Sequence, residues 1–255
     1  MKAIILAAGK GTRMGELTAA VPKPRLPVQG QPILEHIIKG LIGAGVDGIC
    51  ILTGWKAEVV ESYFGDGSRW KIPIHYVRQL VQDGTGKAPE LAKEFVRNDS
   101  FILTYGDILV PPRTYQDMVH RFEEGTFSGL LTVTEGEDVT KGGINFFDRE
   151  FCLTRLVEKP SLGQIEALRT EGLLKDGDPV YYNAGIYIFK PILFKFTARL
   201  EKSPRDEYEL TDAIQAMVEE GRTIAGHAIT GRWVDVRDPQ VLARLEQDSA
   251  LGSGL

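Results

Sequence analysis

A short apolar strand that leads directly into a glycine loop places the strongest limit on how this chain can fold. Residues 3–8 are apolar, and Gly9, Lys10, Gly11 and Arg13 follow at once. An apolar run this short fits a strand that is buried on both faces, as in a parallel sheet. Glycines just after such a strand let backbone N–H groups approach a phosphate where a Cβ would clash. The segment therefore predicts a phosphate-binding loop at the end of a buried strand.

Two common phosphate-binding motifs fail on spacing. The dinucleotide fingerprint needs a glycine at the sixth position counted from Gly9, but Met14 stands there. The Walker pattern needs Gly-Lys-Ser/Thr five residues beyond a first glycine, and the loop lacks it. Pro22 and Pro24 follow, and each lacks an N–H donor and clashes with the preceding helical turn. The sequence therefore disfavours a long Rossmann helix after the loop.

The composition narrows the class of protein. With 43% hydrophobic and 25% charged residues, the 255-residue chain resembles a soluble globular enzyme. Its net charge of -5 argues against a nucleic-acid partner, because proteins that bind polyanions usually present a basic face. An apolar stretch of about 18 residues is missing and Met1 and Lys2 lead straight into a strand, so we expect no membrane span, no signal peptide and a cytoplasmic protein. The oligomeric state stays open, with a homo-oligomer among the alternatives.

Hydrophobic periodicity predicts an α/β fold with two halves of different character. The first half alternates strands and helices, which is typical of a parallel sheet covered by helices. Its strands are predicted at 3–8, 49–52, 74–77 and 101–104, and its helices at 32–43, 57–64, 89–96 and 114–123. The second half is richer in strands, which predicts a mixed sheet. These strands are predicted at 129–134, 144–147, 153–157, 180–189 and 223–229, and the helices at 164–171, 192–200 and 210–219.

Short motifs recur along the chain in a specific order. They are residues 6–13, Pro22-Lys23-Pro24, Gly84-Thr85, Tyr105-Gly106-Asp107, Glu158-Lys159-Pro160, residues 183–187, residues 209–212 and Trp233-Val234-Asp235. In this order they resemble the sugar-phosphate nucleotidyltransferases, the family that includes glucose-1-phosphate thymidylyl- and uridylyltransferases. The resemblance covers residues 2–245. It implies one domain over 1–255 with the nucleotide-diphospho-sugar transferase (glycosyltransferase-A-like) fold, a mixed central sheet with a Rossmann-like nucleotide-binding half over 1–125 and a sugar-phosphate half over 126–240.

The resemblance also implies a reaction. A sugar 1-phosphate, with glucose 1-phosphate as the first candidate, would attack the α-phosphorus of UTP or dTTP and give an NDP-sugar and pyrophosphate. Two like charges 4 Å apart repel by roughly 1 kcal/mol in water and about 4 kcal/mol at an effective dielectric constant near 20. Positioning and charge neutralisation should therefore dominate catalysis. Two alternatives stay open: a CTP- or GTP-dependent transferase acting on phosphocholine or heptose 1-phosphate, and a non-catalytic nucleotide-binding regulator.

By the same resemblance, particular residues would bind each substrate. Arg13, Lys23, Asp107 and Lys159 would be catalytic, with Arg13 on the leaving pyrophosphate. The nucleotide would be bound by Leu6, Ala8, Gly9, Gly11, Thr12, Arg13, Lys23, Gln79, Gly84 and Thr85, of which Gln79 and Gly84 would face the base. The sugar phosphate would be bound by Gly143, Glu158, Lys159, Asn183 and Tyr187.

Two carboxylates are candidates for a magnesium site. Asp107 follows the predicted strand at 101–104, so it should lie at the carboxyl edge of the sheet, where α/β proteins bind ligands. Asp235 would meet it from a Trp-x-Asp segment, and Mg²⁺ commonly takes one or two carboxylates with water and phosphate oxygens. The chain departs from the family pattern at Arg25, Lys87 and Arg237. We expect these three to add cations near the site.

Overall fold

The computed structural model describes residues 1–175 and 177–247. The strands are β1 (Lys2–Ala7), β2 (Pro27–Val28), β3 (Gln31–Pro32), β4 (Ile49–Thr53), β5 (Ile74–Arg78), β6 (Phe101–Tyr105), β7 (Ile108–Leu109), β8 (Gly129–Thr134), β9 (Gly143–Phe147), β10 (Leu153–Glu158), β11 (Tyr181–Phe189), β12 (Ile224–Ala228) and β13 (Val234–Asp235). The helices are α1 (Leu17–Ala20), α2 (Ile33–Gly43), α3 (Ala57–Phe64), α4 (Lys93–Val96), α5 (Pro112–Glu123), α6 (Leu162–Thr170), α7 (Leu193–Thr197), α8 (Leu210–Glu219) and α9 (Pro239–Gln247).

Nine of these strands form one mixed central sheet, as the sequence predicts. Its order is β10-β9-β11-β6-β1-β4-β5, with β8 beside β11 and β12 beside β8. The strands β6, β1, β4 and β5 are parallel, and β11 is antiparallel to β6, β8 and β9. The parallel strands of the first half thus join the antiparallel strands of the second half along β6 and β11. This junction is where the carboxyl ends of β1 and β6 meet the second half.

Helices cover both faces of the sheet. On one face, α2 and α5 pack together, α5 also contacts β8, β11 and β12, and Ile37, Tyr115 and Met118 are buried there in one core cluster with side chains of β1 and β4. On the other face, α7 and α8 pack together, α8 contacts β10, and both helices share a core cluster with side chains of β6 and β11. Strand β4 is buried along its whole length, which explains its continuous apolar sequence. Of the helices in the described ranges, none combines the length and the apolar character needed to cross a bilayer.

Two helical regions differ clearly from the predictions. The predicted helix at 89–96 is a 3-10 helix (Ala88–Ala92) followed by the single turn of α4. The helix α9, which the sequence analysis did not predict, packs Leu242 and Leu245 into the core. After the glycine loop, α1 is only four residues long and ends before Pro22. The expectation that no long helix follows this loop is confirmed.

Candidate active site

The glycine loop lies at the carboxyl end of β1, between two neighbouring strands that are each followed by a glycine. A Cβ on Gly54, after β4, would lie 2.5 Å from the Ala8 carbonyl oxygen. A Cβ on Gly106, after β6, would lie 3.0 Å from the Ala7 Cβ, and the Gly106 N–H donates to the Leu6 carbonyl at 2.8 Å. Both glycines therefore let the loop sit close against the sheet. The loop then turns at Gly11, whose φ is +62°.

The Pro-Lys-Pro segment returns to the loop and delivers Lys23. A Cβ on Gly11 would lie 3.1 Å from the Lys23 Cβ, so the two segments are in contact. The Thr18 hydroxyl donates to the Gly11 carbonyl at 3.2 Å and holds the loop there. The Lys23 side chain is only 12% exposed, and its Nζ donates to Asp107 Oδ2 at 2.5 Å. Lys23 is therefore fixed beside the loop by an ion pair with a predicted metal ligand.

Asp107 and Asp235 are brought together by a short ladder between β7 and β13. Asp235 lies opposite Ile108 in that ladder, and the Val236 N–H donates to the Asp107 carbonyl at 3.0 Å. Burial, with the negative charge of Asp107 as a second cause, raises the pKa of Asp235 to about 6. Over residues 1–175 and 177–247, no group of three His, Cys, Asp or Glu side chains is arranged to hold a metal. The donor set of two carboxylates fits a divalent ion that completes its shell with water and phosphate oxygens.

Two cavities open around these carboxylates. The first, of about 270 Å³, is bordered by the glycine loop and takes in six of the predicted nucleotide-binding residues. These are Leu6, Gly9, Gly11, Thr12, Arg13 and Lys23. The second, of about 280 Å³, takes in all five predicted sugar-phosphate residues, Gly143, Glu158, Lys159, Asn183 and Tyr187. Arg13, Asp107 and Asp235 line both cavities, so the two spaces meet at these side chains.

Lys159 enters the second cavity from a strained backbone position. Its φ is +42°, a conformation that costs a non-glycine residue roughly 1–2 kcal/mol, and its N–H donates to the Gly142 carbonyl at 2.9 Å. Its Nζ lies 3.7 Å from Glu158 Oε1. Burial raises the pKa of Glu158, and the positive charge of Lys159 partly offsets that increase. The pair therefore joins an exposed lysine side chain to a mostly buried carboxylate, and both residues line the second cavity.

An irregularity in β11 orients Asn183. The pairing register with β8 shifts between Asn183 and Tyr187, and Gly185 within this bulge has a φ of +79°. The Asn183 Oδ1 accepts hydrogen bonds from the Gly185 N–H at 3.2 Å and from the Tyr187 hydroxyl at 3.0 Å. Because Oδ1 already accepts these two hydrogen bonds within the strand, the side-chain NH2 of Asn183 is the part that could donate to a ligand in the second cavity.

Four predicted nucleotide-binding residues are not in the first cavity. Gln79 lines a separate surface pocket with Lys87. The backbone N–H of Gln79 donates to the Thr53 carbonyl at 2.8 Å. Gly84 lies beside Tyr208 in a β-bridge. The Tyr208 N–H donates to the Asp83 carbonyl and the Gly86 N–H donates to the Tyr208 carbonyl, so the N–H and C=O of Gly84 itself take no part in this bridge. Thr85 lines the second cavity instead of the first. The Ala8 carbonyl accepts a hydrogen bond from the Gln82 side chain, in the loop that follows β5.

Arg25 is not at the site, and the expectation that it adds a cation there is wrong. Its guanidinium carbon lies 3.4 Å from the centre of the Tyr63 ring, a cation–π contact outside both cavities. Lys87 lies over the Tyr208 ring with its Nζ 4.8 Å from the ring centre, beside Gln79. Among these three departures from the family pattern, only Arg237 lines the first cavity.

The structure adds residues that the sequence analysis missed. The Gln82 side-chain amide donates to the Ala8 carbonyl at 2.7 Å and thereby ties the loop after β5 to the glycine loop. Lys141 and Glu207 line the second cavity. Only the position of Gln82 between Gln79 and Gly84 could have drawn attention to it, because the contact joins segments that are distant in sequence.

Comparison with known proteins relates this geometry to a family. The sequence model of the nucleotidyl transferase family matches residues 2–250. The chain is 33% identical over 97% of its length to the low-salt glycan biosynthesis nucleotidyltransferase Agl11 of Haloferax volcanii, covering 65% of that protein. It is 33% identical over 94% of its length to the bifunctional protein GlmU of Methanocaldococcus jannaschii, covering 52% of it. The chain thus spans between half and two thirds of the length of these relatives.

A third relative and two solved structures are similar over nearly their full length. The UTP–glucose-1-phosphate uridylyltransferase AglF of Haloferax volcanii is 29% identical, with 97% of this chain and 96% of that protein covered. A Bacillus anthracis protein assigned as a glucose-1-phosphate thymidylyltransferase superposes with a TM-score of 0.82 at 25% identity over 97% of this chain and 94% of that chain. A UDP-glucose pyrophosphorylase complexed with UDP-glucose superposes with a TM-score of 0.82 at 21% identity over 96% and 97%. These neighbours confirm the nucleotide-diphospho-sugar transferase fold, and with the family match they show that this chain is a member of the nucleotidyl transferase family.

Proposed function

We propose that this chain transfers a nucleotidyl group from UTP or dTTP to a sugar 1-phosphate, with glucose 1-phosphate as the first candidate, and releases pyrophosphate. The main support is the meeting of two cavities at Arg13, Asp107 and Asp235. A glycine loop with cations suits a triphosphate in the first cavity, and a carboxylate, an amide and a lysine suit a sugar phosphate in the second. The names of AglF and the Bacillus anthracis neighbour agree with this pair of substrates.

The reaction needs no covalent intermediate on the protein. An oxygen of the sugar phosphate attacks the α-phosphorus, the bond from that phosphorus to the β-phosphate oxygen breaks, and pyrophosphate leaves. Lys159 would hold the attacking phosphate while Glu158 accepts a hydrogen bond from a sugar hydroxyl. Arg13 lies where the two substrates meet, so its guanidinium would neutralise charge on the reacting phosphates. Catalysis then consists of holding two anions in contact and offsetting their repulsion.

Magnesium is the metal that we propose for this site. Asp107 and Asp235 would hold it, because they are adjacent, oxygen-donating and partly desolvated. Bound there, the ion would supply positive charge to the phosphate oxygens. Lys23, which donates to Asp107 at 2.5 Å, lines the first cavity and would add a second positive charge on the same side.

We also propose the division of labour between the two halves of the chain. Most residues that line the first cavity come from 6–107 and most that line the second come from 141–235, which supports a nucleotide half over 1–125 and a sugar-phosphate half over 126–240. The first half also contributes to the second cavity, through Arg13, Thr85, Tyr105, Asp107 and Ile108. Asp235 and Arg237 reach back into the first cavity from the second half. Gln79 and the backbone groups of Gly84 are the proposed base contacts. A cytoplasmic location is part of the proposal, since the donor is a nucleoside triphosphate.

A substrate panel tests this function. UTP, dTTP, CTP, GTP and ATP are each combined with glucose 1-phosphate, other sugar 1-phosphates and phosphocholine in the presence of Mg²⁺, and pyrophosphate release is measured. We expect UTP and dTTP to be used with a sugar 1-phosphate and the other nucleotides to be far poorer, because a site that hydrogen-bonds one base penalises others. Preference for CTP or GTP would overturn the base assignment. No pyrophosphate from any pair would overturn the transfer reaction itself.

A further inference from the structure

Arg237 brings a guanidinium into the first cavity from the turn that follows β13. Its N–H donates to the Asp235 carbonyl at 2.8 Å, and its side chain borders the cavity with the glycine loop. Its Nη2 donates to Glu137 Oε2 at 3.2 Å, and the two side chains are 28% and 27% exposed. Glu137 belongs to the segment between β8 and β9 and does not line either cavity. Arg237 therefore pairs with the partly exposed carboxylate of Glu137 and also borders the open space of the first cavity.

The position of Arg237 indicates which part of the nucleotide it would contact. The α-phosphate must lie where the cavities meet, at Arg13, Asp107 and Asp235, because the acceptor attacks it from the second cavity. Arg237 lines the first cavity alone, so it faces the portion of the nucleotide that points away from the acceptor. A guanidinium presents five N–H donors in a fixed plane, and the recorded bond to Glu137 uses one nitrogen. The remaining donors suit phosphate oxygens.

The charges in the first cavity make a further cation useful. It contains two carboxylates, and Lys23 is already engaged with one of them. Even with a divalent ion on the carboxylates, a triphosphate brings more negative charge than Arg13 and Lys23 supply together. An arginine held weakly at 3.2 Å by a partly exposed glutamate can change partners at little cost, because such pairs are worth little in contact with water.

We infer that Arg237 binds the β- and γ-phosphates of the donor and the pyrophosphate product, and that Glu137 is the partner it gives up when they bind. The inference rests on the proposed function for the identity of the ligand. It makes Glu137 a competitor of the phosphate for one guanidinium. Removing the competitor and removing the guanidinium should then change phosphate affinity in opposite directions.

Calorimetric titration with inorganic pyrophosphate in the presence of Mg²⁺ tests this without turnover. Arg237→Gln should bind pyrophosphate about tenfold more weakly, since a charge-assisted hydrogen bond is lost. Glu137→Gln should bind it severalfold more tightly. The matched control is Arg199→Gln, which breaks the Arg199–Glu220 pair at 2.7 Å; neither residue lines either cavity, so this variant should bind pyrophosphate as the parent does. Melting temperatures are measured alongside, because Arg237→Gln and Glu137→Gln remove the same ion pair and should shift them alike.

The outcomes separate the inference from the proposed function. Unchanged pyrophosphate affinity in Arg237→Gln, or the same direction of change in both variants, would overturn the inference and reduce the pair to a structural role. Opposite changes in affinity with parallel changes in melting temperature would support it. If the parent protein releases no pyrophosphate in the substrate panel but Arg237→Gln still loses pyrophosphate binding, the phosphate contact stands while the reaction falls. If transfer proceeds and Arg237→Gln binds pyrophosphate as tightly as the parent, the proposed reaction stands while the phosphate contact falls.

Discussion

Gly54→Ala should displace the glycine loop by a steric clash with Ala8, without altering a residue that faces a substrate. The new Cβ would lie 2.5 Å from the Ala8 carbonyl oxygen and 2.9 Å from the Ala8 Cβ. Ordinary van der Waals contacts begin near 3.4 Å, so Ala8 must retreat by about 0.9 Å. Its carbonyl also accepts from the Trp55 N–H at 3.1 Å and from the Gln82 amide at 2.7 Å. A shift of Ala8 therefore also moves Gly9, the next residue in the chain, and the loop after β5, which is hydrogen-bonded to the Ala8 carbonyl.

The size of the effect follows from that displacement. A misplacement of about 1 Å costs on the order of 100-fold in rate, so kcat/KM for the nucleotide should fall about 100-fold, equivalent to ~2.7 kcal/mol. Overpacking should cost roughly 1–3 kcal/mol of folding stability, which for a domain of this size lowers Tm by roughly 2–4 °C per kcal/mol. Initial rates of pyrophosphate release at varied nucleotide, together with a melting curve, measure both quantities.

A second glycine provides the control. Gly163 lies on the exposed side of α6, and a Cβ there would have its nearest neighbour, Ser161 Oγ, at 4.0 Å. Gly163→Ala should keep both kcat/KM and Tm at or above the parent values. A Gly54→Ala protein that melts lower but retains the parent kcat/KM for the nucleotide would refute the argument that the contact with Ala8 positions the loop.

Four further variants test other parts of the structure. Asp107→Asn and Asp235→Asn should each abolish magnesium-dependent turnover with an unchanged circular dichroism spectrum, and near-full activity in either would remove that residue from the metal site. Lys159→Ala should raise KM for the sugar phosphate about tenfold and leave KM for the nucleotide nearly unchanged, because Lys159 lines only the second cavity; equal increases would contradict this. Burial disfavours the charged form of Glu35, but hydrogen bonding and charge from Lys39, 3.0 Å away, with Arg69, hold its pKa below the ordinary 4.5. Its contribution to stability is present above pH 4.5 and lost as the pH falls through the lowered pKa, so Glu35→Gln should lose less Tm on acidification than the parent; parallel curves of Tm against pH would contradict that assignment.

The sequence alone determined the elements whose signals are local. The helices at 57–64 and 210–219 and the strand at 129–134 have the predicted bounds, because apolar periodicity and the flanking turn residues act within a few positions. The short apolar run at 3–8, which forms most of β1, indicated a strand buried on both faces. The prolines after the loop limited α1 to four residues. The order of the motifs indicated the family, which the family match confirms.

Only the tertiary structure decided which distant residues meet. The β7 and β13 ladder places Asp235 beside Asp107, and nothing local to either residue specifies that pairing. Arg25 lies near Lys23 in sequence, yet its guanidinium stacks on Tyr63, because the 3-10 helix at Lys23–Arg25 turns the two side chains toward different neighbours. Periodicity reports which face of an element is buried, but not which partner covers it. Contacts between elements far apart in sequence depend on how the whole sheet packs, and this packing brings the two cavities together at three shared side chains.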